Sequence, residues 1–323
     1  MKRREFIEGL GSAAVWPVAA RAQQAAMPAV GYLSVGEPIA DYIAALRKGL
    51  GEQGYFEGRN FVFEPRSTED YNRLPALAAE LVAHRVAAIF TFMNSNAAQA
   101  AQTATSTIPI VFTLGADPVV QGLVASLNRP GANVTGVGLL AQEIEPKRIE
   151  LLRELVPQAS TIAFLANPAS ASMALSIRNL QAAAQAVRQP IIIMNASTPA
   201  EIDSAFARLA PERAGGLLVG GDAFFEARRS QIIVLAARYA TPVVYFASEF
   251  TRAGGLMSYS DDRAESFRQA GLYVGRILKG EKPADLPVLQ PTKFTFAINV
   301  STARAVGLEF PPSFLLRADE VIQ

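Results

Sequence analysis

The sequence predicts an α/β protein made of two similar lobes, each a doubly wound, mainly parallel β-sheet covered by helices. Three observations support this prediction. Apolar strand-like runs alternate with amphipathic segments along the chain, the connections between them are short, and a strand that ends in a small polar turn occurs twice. The 323 residues suffice for two domains of ordinary size, and 50% of them are hydrophobic.

The first copy of the strand-to-turn pattern is IPIVFTLGADPVVQGLVASL, at residues 108–127, and the second is TPVVYFASE, at residues 241–249. In the first copy the apolar start shows no polar alternation, which is typical of a strand covered by helices on both faces. Asp117 and Pro118 then predict the start of a helix, because aspartate caps free amides and proline fits the first helical turn. The turn follows the carboxyl end of the strand, where open parallel sheets bind ligands.

The other elements continue the alternation, and each is predicted from its hydrophobic period and its flanking turn residues. Strands are predicted at residues 29–35, 60–67, 86–92, 108–114, 133–138, 161–167, 191–196, 216–221, 243–247, 256–260 and 293–300, the last as an edge strand. Helices are predicted at residues 39–53, 73–84, 95–104, 118–127, 144–156, 172–187, 199–209, 225–239 and 263–279. This order indicates two Rossmann-like lobes.

Three places between these elements are natural crossings from one lobe to the other. They are predicted near residues 138–142, 250–255 and 283–291. The first lobe is then predicted to contain residues 28–140 plus 252–285, and the second lobe residues 141–251 plus 286–323. Three crossings form a hinge, so we expect the lobes to open and close about a shared cleft.

The first 22 residues carry the three parts of a secretory signal peptide. Basic residues 2–4 begin the chain, a short apolar stretch follows, and Ala20-Arg21-Ala22 provides a cleavage site before Gln23. The adjacent arginines are typical of a twin-arginine leader. A frayed amphipathic helix is the alternative, whereas a membrane anchor is disfavoured because the apolar part is too short to cross about 30 Å of hydrocarbon. We therefore expect export to the periplasm.

The composition disfavours several classes of function. Lys and Arg number 30 against 29 Asp and Glu, without a basic cluster, which argues against a nucleic-acid partner. There is no Cys, and His84 is the only His, so the usual ligands and bases of metal sites and catalytic triads are missing. We expect no metal and no cofactor. A glycine pattern at residues 136–141 imitates a dinucleotide fingerprint but falls at the fifth strand. A Rossmann-like enzyme acting on a small metabolite is the alternative function.

Several runs of the sequence resemble the ABC-transporter substrate-binding family typified by the tryptophan-binding TrpX proteins. These runs are RREFI, TSTIPIVFTLGADPVVQGLVASLNRPGANVTGV, LLRELVP, GGLMSYS and GRILKGEKPADLPVLQPTKFTFAINVSTARAVGL. The resemblance implies a type I periplasmic-binding-protein fold, in which two lobes close on a small solute that is passed to a membrane permease. Asn94 and Asn96 occupy a loop where relatives commonly show Gly, Thr or Pro, so the solute need not be tryptophan. We expect a monomer that binds an amino acid or an aromatic acid.

A more distant resemblance, to the branched-chain amino-acid binders of the same fold, implies which loops meet the ligand. The matching positions are residues 94–96, residues 113–115, and Gly221 and Asp222 with Glu226 close behind. In such binders hydroxyl groups and backbone amides hold the ligand carboxylate, and acidic residues hold its ammonium.

The chemistry of an amino-acid zwitterion assigns roles to these candidates. Ser95, Thr113, Gly115 and the helix starts after Asn94 and Asp117 offer donors to a carboxylate. For the ammonium, Asp222 is the first candidate and Glu249 the second. The alternative for Asp222 is a helix N-cap, and for Asp117 capping its own helix is favoured over ligand contact.

Four further residues at strand ends are candidates for ligand contact. Tyr245 and Tyr259 are predicted to end strands of opposite lobes and to sandwich an apolar or aromatic side chain of the ligand. The alternative is that both tyrosines fill the interlobe core. Asn167 and Ser34 lie in loops after strands and are predicted as polar contacts.

Overall fold

The computed structural model describes residues 27–141 and 143–323, so the predicted leader at residues 1–22 lies outside the described residues. The strands are β1 Ala29–Val35, β2 Val62–Thr68, β3 Ala88–Thr91, β4 Ile110–Leu114, β5 Val134–Gly138, β6 Thr161–Ala166, β7 Ile191–Asn195, β8 Ala214–Val219, β9 Val243–Tyr245, β10 Met257–Asp261, β11 Phe294–Asn299 and β12 Glu320–Ile322. The helices are α1 Ala40–Glu52, α2 Leu74–Ala83, α3 Ser95–Ala104, α4 Glu145–Leu155, α5 Met173–Ala186, α6 Pro199–Arg208, α7 Ala223–Ala227, α8 Arg229–Arg238, α9 Ser248–Arg252, α10 Arg263–Leu278, α11 Val300–Ala305 and α12 Pro312–Arg317. Two short 3-10 helices span Tyr71–Arg73 and Pro283–Asp285.

The strands form two sheets, and the predicted α/β class with two doubly wound lobes is confirmed. The first sheet has the order β2-β1-β3-β4-β5 and is wholly parallel. The second has the order β12-β11-β10-β9-β8-β6-β7, in which only the β10–β11 pair is antiparallel. Its run β7-β6-β8-β9-β10 repeats the strand order of the first sheet. Each lobe therefore presents the carboxyl ends of its parallel strands at one edge.

The predicted lobe boundaries need correction at two segments. Strand β10 was expected in the first lobe, but it pairs with β9 and β11 and so belongs to the second. The chain crosses back only after it, because α10 packs on α1 and on strands of the first sheet. Residues 286–290 were expected in the second lobe, yet Leu286 belongs to a hydrophobic cluster of the first lobe and Leu289 bridges Val137 of β5. The Gly254-Gly255 pair, interpreted as a crossing, only turns the chain between α9 and β10.

Three local predictions are also wrong. Residues 118–127 form turns instead of a helix, because Gly122 adopts a positive φ of 71° and the amides of Gly122 and Leu123 bond back to Val119 and Pro118. The helix predicted at residues 225–239 is divided into α7 and α8. Strand β11 was predicted as an edge strand, but it is internal because strand β12 pairs with its outer side. Strand β12 has three residues, which are too few to show a strand pattern in the sequence.

Helices α1 and α10 pack in close contact, and two glycines make this possible. A Cβ on Gly49 would lie 1.9 Å from the carbonyl oxygen of Arg268, and one on Gly271 would lie 2.1 Å from that of Leu46. These distances are too short for any side chain, so both positions require glycine. Helix α10 directly follows the second-lobe strand β10 in the chain, and this contact holds it against the first lobe.

Candidate functional site

A cavity lies between the lobes at the carboxyl ends of the parallel strands, where the fold class places ligand sites. Its walls are Met93, Ser95, Leu114, Gly115, Ala116 and Leu139 from the first lobe, Ala141 at the crossing, Glu145, Ser170, Ser172, Gly221, Asp222 and Phe246 from the second lobe, and Arg263 at the start of α10. It contains about 490 Å³ of space free of protein atoms, part of which is open to solvent.

Asp222 is the acidic group of this cavity, and it is 5% exposed. Its side chain caps α7 by accepting a hydrogen bond from the Phe224 amide at 3.0 Å. This is the N-cap role that was predicted as the alternative to ligand contact. Its Oδ1 also accepts from Asn167 Nδ2 at 2.8 Å and from the Tyr71 hydroxyl at 2.9 Å, and the same hydroxyl lies 3.1 Å from Oδ2. The carboxylate thus joins a loop of the first lobe to two loops of the second.

Every hydrogen-bond donor to Asp222 is electrically neutral. No Arg or Lys within residues 27–141 and 143–323 forms an ion pair with it. Burial therefore raises the pKa of Asp222 above its usual range, and the hydrogen bonds from Asn167 and Tyr71 offset only part of this effect. A buried carboxylate without a cation is costly, so the cavity favours a ligand that brings a positive charge.

The first-lobe wall offers donors for a negative group. Asn94 caps α3 by accepting from the Ala97 amide at 2.9 Å, and Ser95 is the first residue of that helix. Ser95 is 2% exposed, lines the cavity, and its hydroxyl has no hydrogen-bond partner in the described part of the chain. The first amides of a helix also lack intrahelical acceptors. The start of α3 can therefore bind a carboxylate.

Glu145, the first residue of α4, is a second buried carboxyl group in the wall, at 3% exposure. Its Oε1 accepts from the Ser176 hydroxyl at 2.5 Å, and its Oε2 has no hydrogen-bond partner in residues 27–141 and 143–323. Burial raises the pKa of Glu145 to about 7, and the Ser176 bond and the positive charge of Arg148 oppose this rise. One oxygen is thus available as an acceptor.

Arg263 connects the two lobes beside the cavity. Its guanidinium donates to the carbonyl oxygen of Phe246 at 3.0 Å, contacts the sulfur of Met93 in the first lobe, and lies 3.4 Å from Glu226 and 3.7 Å from Asp261. It also lies 5.2 Å from the centre of the Phe246 ring. Since two carboxylates already surround it, Arg263 serves to hold the cavity wall in place.

Further bonds cross the cleft outside the cavity. The side chain of Asn96 donates to the Ala169 carbonyl at 3.1 Å and accepts from the Ala171 amide at 2.8 Å. Arg228 of the second lobe forms an ion pair with Glu69 of the first. Together with the bond between Tyr71 and Asp222, these contacts hold the closed arrangement.

The structure brings some of the predicted site residues together and leaves others apart. Ser95, Gly115 and Asp222 line the cavity. Asn94 and Asn167 lie one hydrogen bond behind it, through α3 and through Asp222.

The remaining predicted residues serve the structure around the site. The Ser34 hydroxyl bonds to the Gly36 carbonyl of its own loop, and the Thr113 hydroxyl accepts from the Met93 amide at 3.2 Å inside the first sheet. Asp117 accepts from the amides of residues 119 and 120, the capping role that was favoured for it. None of these side chains is in the cavity wall.

The predicted aromatic sandwich is wrong in its premise. Tyr245 and Tyr259 lie on neighbouring strands of the same sheet, β9 and β10, and not on opposite lobes. Tyr245 is fully buried and stacks on Phe250 at 4.7 Å, whereas Tyr259 stacks on Phe294 at 6.0 Å. The core-filling alternative describes Tyr245, which belongs to a hydrophobic cluster of both lobes, whereas Tyr259 is partly buried and packs against a cluster of the second lobe alone. Glu249 is also outside the cavity wall and lies 3.7 Å from Arg252.

Sequence reasoning missed nine lining residues, which are Met93, Ala116, Leu139, Ala141, Glu145, Ser170, Ser172, Phe246 and Arg263. Two of them had a local signal, since Met93 and Phe246 lie within two residues of strand ends. Glu145 and Arg263 each begin a helix directly after a crossing between lobes. Only the position of the crossings could have identified them, and one crossing was misplaced.

Two further properties concern the described residues only. Among them no group of three or more His, Cys, Asp or Glu residues has the arrangement of a metal site. None of their helices has the length and hydropathy needed to cross a membrane.

Comparison with known proteins gives a consistent assignment. A family model described as ABC transporter substrate binding protein matches residues 36–322. A tyrosine-binding protein of Clostridioides difficile (strain R20291) is 26% identical over 264 residues, covering 81% of this chain and 75% of that protein. A conserved domain protein from Vibrio cholerae has a TM-score of 0.83 at 27% identity, covering 91% of this chain and 99% of that one. An ABC domain in complex with L-Trp from Streptococcus pneumoniae shares the fold, with a TM-score of 0.81 at 24% identity and the same coverage.

Proposed function

The chain belongs to the family of ABC transporter substrate-binding proteins, and from that premise we propose that it captures an amino acid in the interlobe cavity for uptake by an importer. The family consists of binding proteins and not of enzymes. In this proposal the protein acts outside the cytoplasm after removal of residues 1–22, and it delivers its solute to a membrane permease. We further expect it to act as a monomer.

The observation that carries the proposal is Asp222, a buried carboxylate in the interlobe cavity with only neutral donors around it. A ligand ammonium would supply the missing positive charge. The Ser95 hydroxyl and the first amides of α3 would receive the ligand carboxylate. The apolar wall formed by Met93, Leu114, Leu139 and Phe246 suits an apolar or aromatic side chain. The relative named a tyrosine-binding protein supports the same ligand class.

Closure would follow from contacts that exist only when the lobes meet. Tyr71 of the first lobe forms hydrogen bonds with Asp222 and Asn167 of the second. A ligand held by Asp222 and by the start of α3 touches both lobes at once, so it binds the closed form more strongly than the open form. Only such a difference in affinity shifts the equilibrium toward closure.

The test is titration calorimetry of residues 23–323 with L-tyrosine, L-tryptophan, L-phenylalanine and L-leucine, and with 3-(4-hydroxyphenyl)propanoate, which is tyrosine without its ammonium. We expect at least one amino acid to bind and the desamino acid to bind at least a hundredfold more weakly. Removing one partner of a buried ion pair costs about 3–5 kcal/mol, so Asp222→Asn should weaken amino-acid binding to a similar extent and abolish that discrimination.

Asp262→Asn is the matched control, because Asp262 also caps a helix, accepting from the Glu265 amide at 3.1 Å, but is outside the cavity wall. We expect it to bind like the wild type. Equal binding of tyrosine and its desamino form would contradict the ammonium contact and favour an aromatic acid as the solute. A nucleotide that binds when no amino acid does would contradict the proposed function.

A further inference from the structure

The first crossing between the lobes contains a leucine in an unfavourable backbone conformation. Leu140 lies between β5 and α4 and has a φ of 49°, in the left-handed region that residues other than glycine rarely adopt. Arg188 and Ala240 also have a positive φ, but each directly follows the C-cap of a helix, where this conformation is a common way to end the helix. Leu140 follows a strand, so a helix end does not account for its conformation.

Hydrogen bonds on both sides of Leu140 join the crossing to the first lobe. The Leu139 amide donates to the Leu114 carbonyl at 2.7 Å, and the Ala141 amide donates to the Gly115 carbonyl at 3.1 Å. These four residues all line the cavity. The backbone conformation of Leu140 is therefore coupled directly to the position of the cavity wall.

Arg148 of α4 holds the same segment from the second lobe. Its Nη1 donates to the Ala141 carbonyl and its Nε to the Tyr259 carbonyl of β10, each at 2.9 Å. The side chain is 2% exposed, and its Nη2 has no hydrogen-bond partner in the described residues, so both of its bonds go to the backbone. Burial lowers the pKa of Arg148 to about 10, and the group therefore remains charged at neutral pH. Ala141 is thus bonded through its amide to the first lobe and through its carbonyl to the second.

We infer that Leu140 is the hinge residue of the first crossing, and that Arg148 is the positioning residue that holds it in the left-handed conformation when the lobes close. In the open form Leu140 returns to a negative φ, so closure carries the cost of its strained conformation. Removing that cost should favour the closed form and tighten binding of the solute. This inference rests on the proposed closure of the lobes and does not depend on the identity of the solute.

The test compares Leu140→Gly with Leu140→Ala. Both variants lose the leucine side chain, but only glycine adopts a positive φ without a penalty. The chain has no Cys, so Ala79→Cys on α2 and Ala207→Cys on α6, both exposed, place one spin label on each lobe. Double electron–electron resonance then gives the closed-to-open ratio of residues 23–323 without solute. We expect this ratio to be about three- to tenfold higher in Leu140→Gly, and the Kd values for L-tyrosine and L-tryptophan to fall by up to the same factor.

Ala240→Gly is the control, because it makes the same change at a φ of 46° after α8, away from the crossings. It should raise the unfolding temperature slightly and leave the closed-to-open ratio unchanged. Equal ratios in Leu140→Gly and Leu140→Ala would overturn the hinge role of Leu140. An equal increase of the ratio in Ala240→Gly would overturn it as well.

Arg148→Lys tests the positioning role, because lysine offers one ammonium in place of the guanidinium fork that reaches two carbonyls. We expect the closed-to-open ratio to fall about two- to tenfold, the effect of one lost hydrogen bond, and adding Leu140→Gly to restore most of it. If Arg148 only supported the core, Leu140→Gly would leave the loss unchanged, and that result would overturn its role. Should Arg148→Lys not fold, the Leu140 comparison decides. If neither amino acid binds while the ratios change as expected, the proposed solute class fails and the hinge inference stands.

Discussion

Removal of one hydroxyl group, in Tyr71→Phe, tests whether the cross-cleft bond to Asp222 stabilises the closed form. The hydroxyl contacts both oxygens of Asp222, at 2.9 and 3.1 Å, and accepts from Asn167 at 3.0 Å. Tyr71 belongs to the first lobe and its two partners to the second. The open form therefore lacks all of these bonds, and the substitution affects mainly the closed form.

The magnitude follows from the charge of the acceptor. A hydrogen bond to a charged group contributes about 1.5–3 kcal/mol net. Since apparent affinity scales with the fraction of protein in the binding-competent form, losing this bond should raise the Kd of the amino-acid ligand by about ten- to a hundredfold. The phenyl ring that remains preserves the packing of Tyr71, so we expect little change in the unfolding temperature of the ligand-free protein.

The assay combines calorimetric Kd with the radius of gyration from small-angle X-ray scattering, with and without ligand. Tyr55→Phe is the matched control, because Tyr55 is a first-lobe tyrosine whose ring contacts Phe61 and whose hydroxyl makes no hydrogen bond in the described part of the chain. A change in Kd below threefold for Tyr71→Phe, with an unaltered unfolding temperature, would refute the role of this bond in closure.

Two further predictions concern stability. In Gly49→Ala the new Cβ would lie 1.9 Å from the Arg268 carbonyl oxygen, so we expect thermal unfolding to show a loss of about 1–3 kcal/mol or more in the free energy of unfolding. Gly51→Ala is the control, because the nearest neighbour of its Cβ would be 3.5 Å away, and it should be neutral or stabilising by up to about 1 kcal/mol. Equal effects of the two substitutions would contradict the close contact between α1 and α10. Burial raises the pKa of Glu145 to about 7 from an unfolded value of 4.5, so the stability that this group contributes is fully present below pH 4.5 and is lost as the pH rises through 7. Urea unfolding at pH 5 and pH 8 should show a smaller decrease for Glu145→Gln than for the wild type, and identical decreases would exclude Glu145 as the cause.

Much of the fold follows from local sequence patterns. Strand β1 and helix α3 have the predicted bounds, because a mainly apolar run and an Asn cap are decided by neighbouring residues. Asp222 illustrates the same point for the site. A Gly-Gly-Asp run that follows a predicted strand and precedes a predicted helix favours both a helix cap and a position at the carboxyl edge of the sheet. In the structure Asp222 caps α7 and lines the cavity at that edge.

Other features depend on residues far apart in sequence. The lobe to which β10 belongs is decided by its pairing with β9 and β11. The Gly254-Gly255 pair before β10 does not show by its sequence whether the chain turns within one lobe or crosses to the other. Tyr71 and Asp222 are 151 residues apart, and no local pattern indicates that they meet. Tyrosine is a residue type typical of binding sites, yet Tyr245 packs in the core and the partly buried Tyr259 stacks on Phe294.

The α/β class, most of the order of the elements, the family and the loops near the site can be predicted from the residues alone, because these depend on short-range periodicity, capping and contiguous motifs. Which side chains line the cavity depends on how the two lobes pack. Glu145 and Arg263 enter it because each begins a helix directly after the chain crosses between lobes. Which acceptors and donors meet at the cavity depends on the closure of the two lobes, and closure is a property of long-range packing.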